Sequence, residues 1–401
     1  MTTGDLTLTS GHYLDLQRGE VGPTEHVSAG PVGIYIHFPF CRHLCTYCDF
    51  DTFARREPLI EPYVDALVRQ IRCSPRVTAS TLYMGGGTPG LLLPEQAMRL
   101  MDACRDAFGL PEGAEATIEV NPSGIDLARL KGFREAGFNR LSVGVQSVDA
   151  RLLRLLGRRH SREEARRSVQ MAYDVGFRNV SVDLLYGVPF QDLPAWNRAL
   201  EAVVEWGVEH VSAYMLTVEA GTSLERGVSR GILPMPAEDD VAAMYRAGCQ
   251  RLSAAGYRRY EISNWARPGK ESSHNLIYWR NQPYLGIGAG AAGSWHGGRY
   301  KITSDLDAYI QGTAAGRVPL AEDEAIDRRR AMSDTMILGL RLDEGVSTRE
   351  FRRRFGVEPT AIFGDALTWA KRWGLLEWTT GRLRLTEQGV LLSNEVFERL
   401  L

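Results

Sequence analysis

The sequence lacks the features that place a protein in a membrane or on a nucleic acid. Within its 401 residues, no run approaches the roughly 18 uninterrupted apolar residues that a membrane-spanning helix requires. The first thirty residues hold no basic stretch followed by an apolar one, so we expect no signal peptide. The 47 basic residues are balanced by 49 acidic ones, which excludes an overall basic field for nucleic acid or anionic lipid. We therefore expect a small or macrocyclic partner, and only a local apolar patch would give peripheral contact with a membrane.

Cysteine is scarce and unevenly distributed. Of the six cysteines, Cys73, Cys104 and Cys249 are scattered, whereas Cys41, Cys45 and Cys48 are clustered. Clustered thiolates suit a reducing compartment, so we expect a cytoplasmic protein. A hydrophobic fraction of 44% and a charged fraction of 24% are typical of a soluble globular protein, and the length allows two or three domains.

The three clustered cysteines follow an apolar, strand-like stretch and have the spacing C-x3-C-x2-C. A closed zinc site needs four ligands, and an ordinary [4Fe–4S] cluster takes four cysteines. His37 and His43 could complete a zinc site, but neither stands in the usual C-x2-C or H-x3-H pairing. A [4Fe–4S] cluster held by three cysteines, with one iron open for another ligand, is the favoured interpretation. Accidental clustering is the alternative.

The residues around the cysteines resemble a known family. An aromatic residue, Tyr47, directly precedes the last cysteine, as in the radical S-adenosylmethionine (SAM) superfamily, where the amino and carboxylate groups of SAM chelate the fourth iron. The run Tyr35–Cys41, with the pattern Y-x-H-x-P-F-C, is similar to the branch that contains oxygen-independent coproporphyrinogen III oxidase and the heme chaperones. The resemblance implies a [4Fe–4S] cluster on the three clustered cysteines, SAM as a cofactor, and a low-potential electron donor.

From Gly33 onward, short β-branched runs alternate with stretches of helical period. The predicted strands are Gly33–Phe38, Thr81–Met84, Ala116–Val120, Arg140–Val145, Asn179–Leu185 and His210–Leu216. The predicted helices are Glu61–Arg72, Pro94–Phe108, Asp126–Ala136, Arg162–Val175, Leu193–Trp206 and Glu238–Ala255. Six β-α units in series predict a parallel sheet. We expect an α/β protein with a partial (β/α)6 TIM-like barrel of the radical SAM type in residues 31–256, after a poorly structured segment, 1–30.

Polar or glycine-rich motifs stand at the carboxyl ends of the first five predicted strands, where the reactive groups of barrels lie. The motif of the first strand is the cysteine run. The motifs of the second to fifth strands are Gly85-Gly86-Gly87-Thr88-Pro89, Glu119-Val120-Asn121-Pro122, Ser142–Ser147 and Asp183–Pro189. Consecutive glycines let a backbone approach a ligand closely, although a turn at a strand end also uses them. The resemblance implies SAM contacts from Tyr35, Tyr47, Gly86, Gly87, Thr88, Glu119, Gln146, Arg158 and Asp183, with Arg159 as the competitor of Arg158.

These residue types suit SAM chemically. Carboxylates fit its ammonium group and its ribose hydroxyls, and an arginine fits its carboxylate. In the resembling superfamily, a low-potential electron passes through the cluster and cleaves SAM to methionine and a 5′-deoxyadenosyl radical. The protein holds the cluster and excludes water and oxygen.

A second motif lies beyond the barrel units, in residues 257–322, which we expect to extend the barrel. The run His274-Asn275-Leu276-Ile277-Tyr278-Trp279 resembles a His-Asn-x-x-Tyr-Trp element that is associated with heme in the chaperone branch. A histidine beside aromatic residues can supply an axial nitrogen to heme iron, so the resemblance implies heme contacts from His274 and Tyr278. A core histidine with a satisfied ring is the alternative. The stretch Gly286–Ser294 lacks the context of a dinucleotide loop and is interpreted as close-packed backbone under the porphyrin or SAM pocket.

Residues 323–401 are expected to form a small α+β domain of winged-helix type. Its predicted elements are helices Arg328–Leu340, Thr348–Phe355 and Ala361–Trp373 and a hairpin over Leu375–Leu385. The polar stretch Leu320–Asp323 is interpreted as the linker. One helix carries Arg349, Arg352, Arg353 and Arg354; such arginines more often form a solvated face than a DNA contact, so we expect no nucleic acid partner.

Four functions are compatible with these patterns, and whether the chain is an enzyme is left open. The first is a heme chaperone that binds heme, the [4Fe–4S] cluster and SAM and delivers heme to recipient hemoproteins. The others are an oxygen-independent coproporphyrinogen III oxidase, a radical SAM methyltransferase, and a zinc-stabilised regulatory protein with a DNA-binding tail. Two departures from the oxidase branch favour the chaperone: Phe50 stands where that branch has a further cysteine, and the N-terminal region is abbreviated.

Overall fold

Residues 31–401 are described by a computed structural model, and the poorly structured segment expected at 1–30 lies outside them. The strands are β1 (Val32–Phe38), β2 (Phe40–Cys41), β3 (Phe53–Ala54), β4 (Ala79–Gly86), β5 (Glu115–Val120), β6 (Arg140–Gln146), β7 (Val180–Tyr186), β8 (His210–Met215), β9 (Arg258–Glu261), β10 (Asn264–Ala266), β11 (Tyr284–Ile287), β12 (Ala292–Trp295), β13 (Gly298–Ile302), β14 (Leu320–Ala325), β15 (Val346–Ser347), β16 (Leu376–Thr379) and β17 (Arg382–Leu385). The helices are α1 (Ile60–Cys73), α2 (Pro94–Phe108), α3 (Leu127–Ala136), α4 (Ala150–Leu155), α5 (Arg162–Asp174), α6 (Leu193–Trp206), α7 (Ser223–Ser229), α8 (Glu238–Ala254), α9 (Ser273–Trp279), α10 (Leu306–Ala314), α11 (Arg328–Leu340), α12 (Thr348–Phe355), α13 (Pro359–Arg372), α14 (Glu387–Leu391) and α15 (Ser393–Phe397).

Six parallel strands form the centre of one large sheet. The strand order is β14-β13-β12-β11-β1-β4-β5-β6-β7-β8-β10-β9, and the run from β1 to β8 is parallel throughout. Helices α1, α2, α3, α5, α6 and α8 follow the six strands in turn. The predicted partial (β/α)6 barrel is therefore confirmed.

Side chains of the parallel strands alternate between two environments, as the period of two of a strand requires. Those packed under the helices are apolar and buried, and include Leu82, Met84, Ile118, Leu141, Val143, Val182 and Leu184. Those of the opposite parity point into the barrel and are mostly polar, and include Thr81, Tyr83, Glu119, Arg140, Ser142, Asp183 and Ser212. The barrel interior is therefore polar.

Side-chain caps and glycines explain where several helices begin and end. Asp126, Ser161 and Asp192 accept hydrogen bonds from first-turn N–H groups of α3, α5 and α6, which otherwise have no partner in the helix. Gly137 and Gly207 end α3 and α6 with φ of 113° and 71°, a region that glycine enters without a steric penalty. None of the helices between residues 31 and 401 combines the length and the apolar character that crossing a bilayer takes.

The large sheet continues on both sides of the barrel strands. The hairpin β9–β10 pairs with β8, whereas β11 runs parallel to β1 and leads into the antiparallel strands β12, β13 and β14. The stretch Leu320–Asp323 belongs to β14, so the prediction of a linker there was wrong. Most side chains of this edge strand are exposed, and an edge strand without a buried apolar face looks like a polar loop in sequence.

The glycine-rich stretch Gly286–Ser294 forms parts of β11 and β12 and the turn between them. A Cβ on Gly286 would lie 2.0 Å from the carbonyl oxygen of Ala292, and one on Gly288 would lie 2.6 Å from that of His37. Both contacts are with backbone atoms, which cannot rotate away. The close packing of this backbone is confirmed, whereas its position under a porphyrin or SAM pocket stays a prediction.

The C-terminal part combines α11, α12 and α13 with a three-stranded sheet of order β15-β17-β16, as expected for a winged-helix-like domain. Ion pairs join it to the rest of the chain. Arg341 Nη2 lies 3.3 Å from Oε2 of the buried Glu261, and Arg299 Nη2 lies 2.9 Å from Asp334 Oδ2. On α12, Arg354 Nη1 donates to the carbonyl oxygen of Asn281 at 3.1 Å. This arginine therefore contacts the barrel extension.

The close approach at Gly286 gives a stability prediction. The substitution Gly286→Ala is expected to lower the free energy of unfolding by more than about 2 kcal/mol, because the added methyl group would overlap a backbone carbonyl. The matched control is Gly364→Ala in α13, where a Cβ meets no atom within 4 Å; it should be neutral or stabilise by up to about 1 kcal/mol. Urea unfolding followed by circular dichroism measures both, and equal stabilities would contradict the described register of β11 and β12.

Candidate functional site

A cavity of about 420 Å³ opens at the carboxyl ends of the parallel strands. Cys41, Cys45 and Cys48 lie in its wall. All but one of the residues expected to contact SAM also line the cavity. They are Tyr47, Gly86, Gly87, Thr88, Glu119, Gln146, Arg158 and Asp183. The exception is Tyr35, whose hydroxyl lies 2.9 Å from Nδ1 of His37, behind the wall. The structure thus brings together side chains from five strand ends.

The cysteine loop, residues 39–54, is attached to the glycine run at the end of β4. Gly87 N donates to the carbonyl oxygen of Phe38 at 2.8 Å, and a Cβ on Gly87 would lie 2.7 Å from that of Phe40. A Cβ on Gly86, whose φ is 105°, would lie 2.4 Å from the His37 ring. Protein atoms therefore require glycine at both positions, independently of any ligand.

The middle of the cysteine loop is fixed through Thr46, between the second and third cysteines. Its N–H donates to the carbonyl oxygen of Leu156 at 3.2 Å, and its hydroxyl donates to that of Leu155 at 2.8 Å. Its own carbonyl oxygen accepts from Leu224 N at 2.8 Å. With every polar atom of Thr46 bonded, the three sulfur atoms are held on a fixed backbone.

Side chains around the cysteine loop donate hydrogen bonds to cysteine sulfur atoms. Thr88 Oγ1 lies 3.5 Å from Cys41 Sγ, and Arg158 Nη1 lies 3.4 Å from Cys45 Sγ. Burial raises the pKa of the Cys41 thiol to about 11, and the bond from Thr88 opposes that shift. Donors of this kind stabilise sulfur that carries negative charge, as it does in a metal thiolate.

The spacing of the three sulfur atoms bears on the kind of metal site. Between residues 31 and 401, no three His, Cys, Asp or Glu side chains are close enough together to hold one metal ion. A zinc ion needs its ligands around a single centre, whereas in an iron–sulfur cubane each thiolate binds its own iron atom. Three thiolates, two of which accept hydrogen bonds from side chains, are a donor set that fits a [4Fe–4S] cluster.

Arg158 connects the cysteine loop to a neighbouring strand end. Its Nη2 donates to Asn121 Oδ1 at 2.6 Å, and Asn121 Nδ2 donates to Thr88 Oγ1 at 2.9 Å. Arg159, its competitor in the sequence, is exposed and does not line the cavity. Of the two arginines, Arg158 alone is placed to meet a ligand there.

Glu119 and Asp183 form an acid pair on the cavity wall. Glu119 accepts from the Tyr83 hydroxyl at 2.6 Å and from Gly86 N at 3.3 Å, and Asp183 accepts from the Ser142 hydroxyl at 3.1 Å. Burial raises the pKa of Glu119 to about 7, and the negative charge of Asp183 adds to the shift. Burial also raises the pKa of Asp183. A cationic ligand would relieve both shifts, because it favours the ionised carboxylates.

Gln146 ends β6 in a conformation that is unusual for a residue with a side chain. Its φ is 65°, and the pairing of β6 with β7 shifts register between Gly144 and Gln146. Left-handed backbone at a non-glycine residue is concentrated at functional sites. The Gln146 side chain lines the cavity.

Several cavity residues were missed by the sequence analysis as site residues: Asn121, Arg140, Ser212, Tyr214, Met215 and Asn275. Arg140 is the clearest case. It opens β6 at the amino end, where reactive groups are not expected, yet its buried side chain reaches the cavity through the barrel interior. Arg140 could have been predicted from Ser142, because residues two apart on a strand share a face and Ser142 belongs to a motif assigned to the site.

His274 lies in α9, inside the barrel and fully buried. Its Nδ1 is 2.8 Å from the Thr81 hydroxyl and its Nε2 is 2.8 Å from the Tyr278 hydroxyl. The ring stacks on Tyr83 at 5.2 Å, and burial lowers its pKa to about 3. Neither His274 nor Tyr278 lines the cavity. Because both ring nitrogens of His274 are hydrogen-bonded, a bond to heme iron would require His274 to give up one of these two bonds.

Comparisons with known proteins agree with this geometry. Residues 35–203 match the family model described as Radical SAM superfamily, and residues 326–392 match the HemN C-terminal domain. The heme chaperone HemW of Lactococcus lactis is 34% identical, over 92% of this chain and 97% of that protein. The heme chaperone HemW of Bacillus subtilis is 35% identical, over 90% and 97%. Coproporphyrinogen III oxidase (HemN) from Escherichia coli, a radical SAM enzyme, shares the fold, with a TM-score of 0.80, 24% identity and coverage of 92% and 90%.

The fold and the cysteine loop define a radical SAM protein, a class that implies a [4Fe–4S] cluster and SAM. Within that class, the chain belongs to the HemW family, because it is about one-third identical to HemW proteins along nearly their whole length.

The raised pKa of Glu119 gives a prediction about pH. The folded chain holds a proton on Glu119 up to about pH 7, whereas the unfolded chain releases it near pH 4.5, so this residue lowers the free energy of unfolding as pH rises between those values. In the wild type we expect this fall in the free energy of unfolding to be on the order of 1–2 kcal/mol, after a discount for the partial exposure of Glu119. Glu119→Gln should abolish that fall, because glutamine does not titrate. Urea unfolding at pH 5 and pH 8 measures it, with the exposed Glu112→Gln as control. An unchanged pH dependence in Glu119→Gln would contradict the described environment.

Proposed function

We propose that this protein is a heme chaperone of the radical SAM type, which binds heme, a [4Fe–4S] cluster and SAM and delivers heme to recipient hemoproteins. The observation that carries the proposal is the cavity itself, in which the cysteine loop, the acid pair and Arg158 meet in a chain of the HemW family. The cytoplasm, where thiolates stay reduced, is the proposed location. The proposed partners are heme, a low-potential electron donor and the recipient hemoproteins.

In this proposal, Cys41, Cys45 and Cys48 hold the cluster. The hydrogen bonds from Thr88 and Arg158 to sulfur support it, since outer donors of this kind tune iron–sulfur sites. When bound, the cluster with SAM would supply one-electron chemistry.

The remaining cavity residues are proposed to hold SAM. Glu119 and Asp183 would receive cationic and hydroxyl groups of SAM, and Arg158 would receive its carboxylate. Gly86, Gly87 and Thr88 would bring backbone to the methionine end of SAM. Tyr47 and Gln146 complete the proposed contacts, and Tyr35 would act from behind the wall through His37.

The neighbouring arginines give a matched test of the SAM site. Arg158→Gln should weaken SAM binding by about 10- to 100-fold, because it removes a positive charge that lines the cavity. Arg159→Gln, one residue along the chain and exposed, should change it less than twofold. Anaerobic calorimetry on cluster-loaded protein measures both. Iron and sulfide content checks that the cluster is intact, and equal affinities in the two variants would contradict the assignment.

The coproporphyrinogen oxidase is the second candidate. The shared fold with the E. coli enzyme supports it, but the exposed Phe50, where the oxidase branch has a cysteine, favours the chaperone.

A hemin titration tests the proposed function. Cluster-loaded protein should bind about one equivalent of hemin and retain it through gel filtration, as followed by the Soret band in difference spectra against hemin-free protein. Repeated on His274→Ala, the same titration tests the heme contact proposed for His274, and repeated on Tyr278→Phe it tests the contact proposed for Tyr278. If no heme is retained and the protein decarboxylates coproporphyrinogen in the presence of SAM and a low-potential reductant, the assignment as a chaperone is replaced by that as an oxidase.

A further inference from the structure

Arg140 is a buried arginine without a bonded partner. Its side chain is 2% exposed and lines the inner end of the cavity, on the side away from the cysteine loop. The Nε atom has no hydrogen-bond partner, and the guanidinium forms no ion pair with any residue between 31 and 401. Burying a positive charge is costly unless the charge is paired and hydrogen-bonded. An arginine in this state therefore points to an anion that binds beside it.

The polar groups around Arg140 are already bonded to other partners. Both ring nitrogens of His210 and of His274 lie within hydrogen-bond distance of hydroxyl groups. Glu119 and Asp183 accept from hydroxyl groups as well. Burial raises the pKa of both carboxyls, and the charge of Arg140 opposes that shift without a direct bond to either. Within residues 31–401, no side chain therefore supplies an acceptor for the guanidinium.

Asn275 adds a second unbonded donor at the same end. Helix α9 lies at the amino end of the barrel, where Glu115, the first residue of β5, accepts from the N–H groups of Ser273 and His274. The next residue, Asn275, lines the cavity, and its side-chain amide makes no hydrogen bond in the described part of the chain. A guanidinium and an amide N–H group that face one cavity suit the two oxygen atoms of a carboxylate.

The inner end of the cavity is separate from the part proposed for the carboxylate of SAM. Arg158, which is proposed to receive that carboxylate, donates to Cys45 Sγ at the cysteine loop. Arg140 opens β6, whereas Gln146 ends it at the cysteine side, and the strand between them is about 20 Å long. One SAM molecule cannot place its single carboxylate at both arginines. Arg140 is therefore left for a second carboxylate.

Resting on the proposed function, we propose that the inner end of the cavity is a carboxylate subsite, in which Arg140 and Asn275 bind a propionate side chain of the tetrapyrrole. The guanidinium pairs with the carboxylate, and the amide of Asn275 donates to it. A propionate held there brings the macrocycle toward α9, which carries the proposed heme contacts His274 and Tyr278. A free small carboxylate is the other source of the same chemical group.

Thermal unfolding with the propionate ion tests the subsite without heme. Cluster-loaded protein with SAM is melted in sodium propionate at about 0.1 M, in sodium chloride at equal ionic strength, and in that chloride solution with propionamide, the uncharged analogue. Propionate should raise the melting temperature by about 2 °C over both controls, because a ligand that binds only the folded chain stabilises it. Equal melting temperatures in the three solutions would overturn the inference.

Variants of Arg140 locate the effect. Arg140→Gln should abolish the rise, Arg140→Lys should keep part of it, and the exposed Arg159→Gln should keep all of it. Because Arg140 has no bonded partner, Arg140→Gln should melt no lower than the wild type in chloride, whereas removing a paired structural arginine lowers stability. An Arg140→Gln variant that melts lower in chloride and still responds fully to propionate would make Arg140 structural and overturn the inference.

Hemin and its dimethyl ester identify the source of the carboxylate in a double cycle. The wild type should bind the ester about tenfold more weakly than hemin, and Arg140→Gln should bind the two compounds equally. Arg159→Gln should keep the difference. If the wild type binds both equally, the heme propionate is ruled out as the occupant, and a response to propionate that depends on Arg140 assigns the subsite to a free carboxylate. If the wild type binds no hemin, the proposed function fails, and the melting experiment alone decides on the subsite.

Discussion

The attachment of the cysteine loop to the strand ends is the constraint on which the site depends. On one side, Thr88 N donates to the carbonyl oxygen of Phe40 in the loop at 2.8 Å, and a Cβ on the adjacent Gly87 would lie 2.7 Å from that same oxygen. On the other side, all the polar atoms of Thr46 are hydrogen-bonded. Three cysteines on a free loop would lose much conformational entropy on binding a cluster. Because the fold fixes that backbone beforehand, the three sulfur atoms, Thr88 and Arg158 keep their relative positions before any metal is bound.

The polar interior of the barrel is the second determinant. The same alternation that buries Leu82 and Leu141 under helices turns Tyr83, Glu119 and Arg140 toward the cavity. Carboxylates placed there have raised pKa values, so the empty site favours a cationic ligand. His274 belongs to this interior as well, bonded to Thr81 and Tyr278, and it supports Tyr83 by stacking.

Much of the fold and part of the site could be predicted from the sequence. Strong periodicity and glycine punctuation located the six βα units, and the cysteine spacing located the loop. The edge strand β14 escaped because its exposed side chains leave no alternating pattern. Arg140 escaped because a side chain at an amino end reaches the cavity only through the barrel interior. The glycines at the end of β4 were interpreted as space for a ligand, whereas their Cβ positions face protein atoms. Those atoms are distant in sequence, so local patterns do not reveal the contact.

The central claim is that this chain carries heme and hands it on. The most direct measurement loads cluster-containing protein with one equivalent of hemin, adds the heme-free form of a hemoprotein from the same organism, and follows recovery of that protein's activity, with apomyoglobin present to trap free heme. The account predicts recovery that is faster than with free hemin and insensitive to the trap. Recovery no faster than with free hemin, or abolished by the trap, would contradict it.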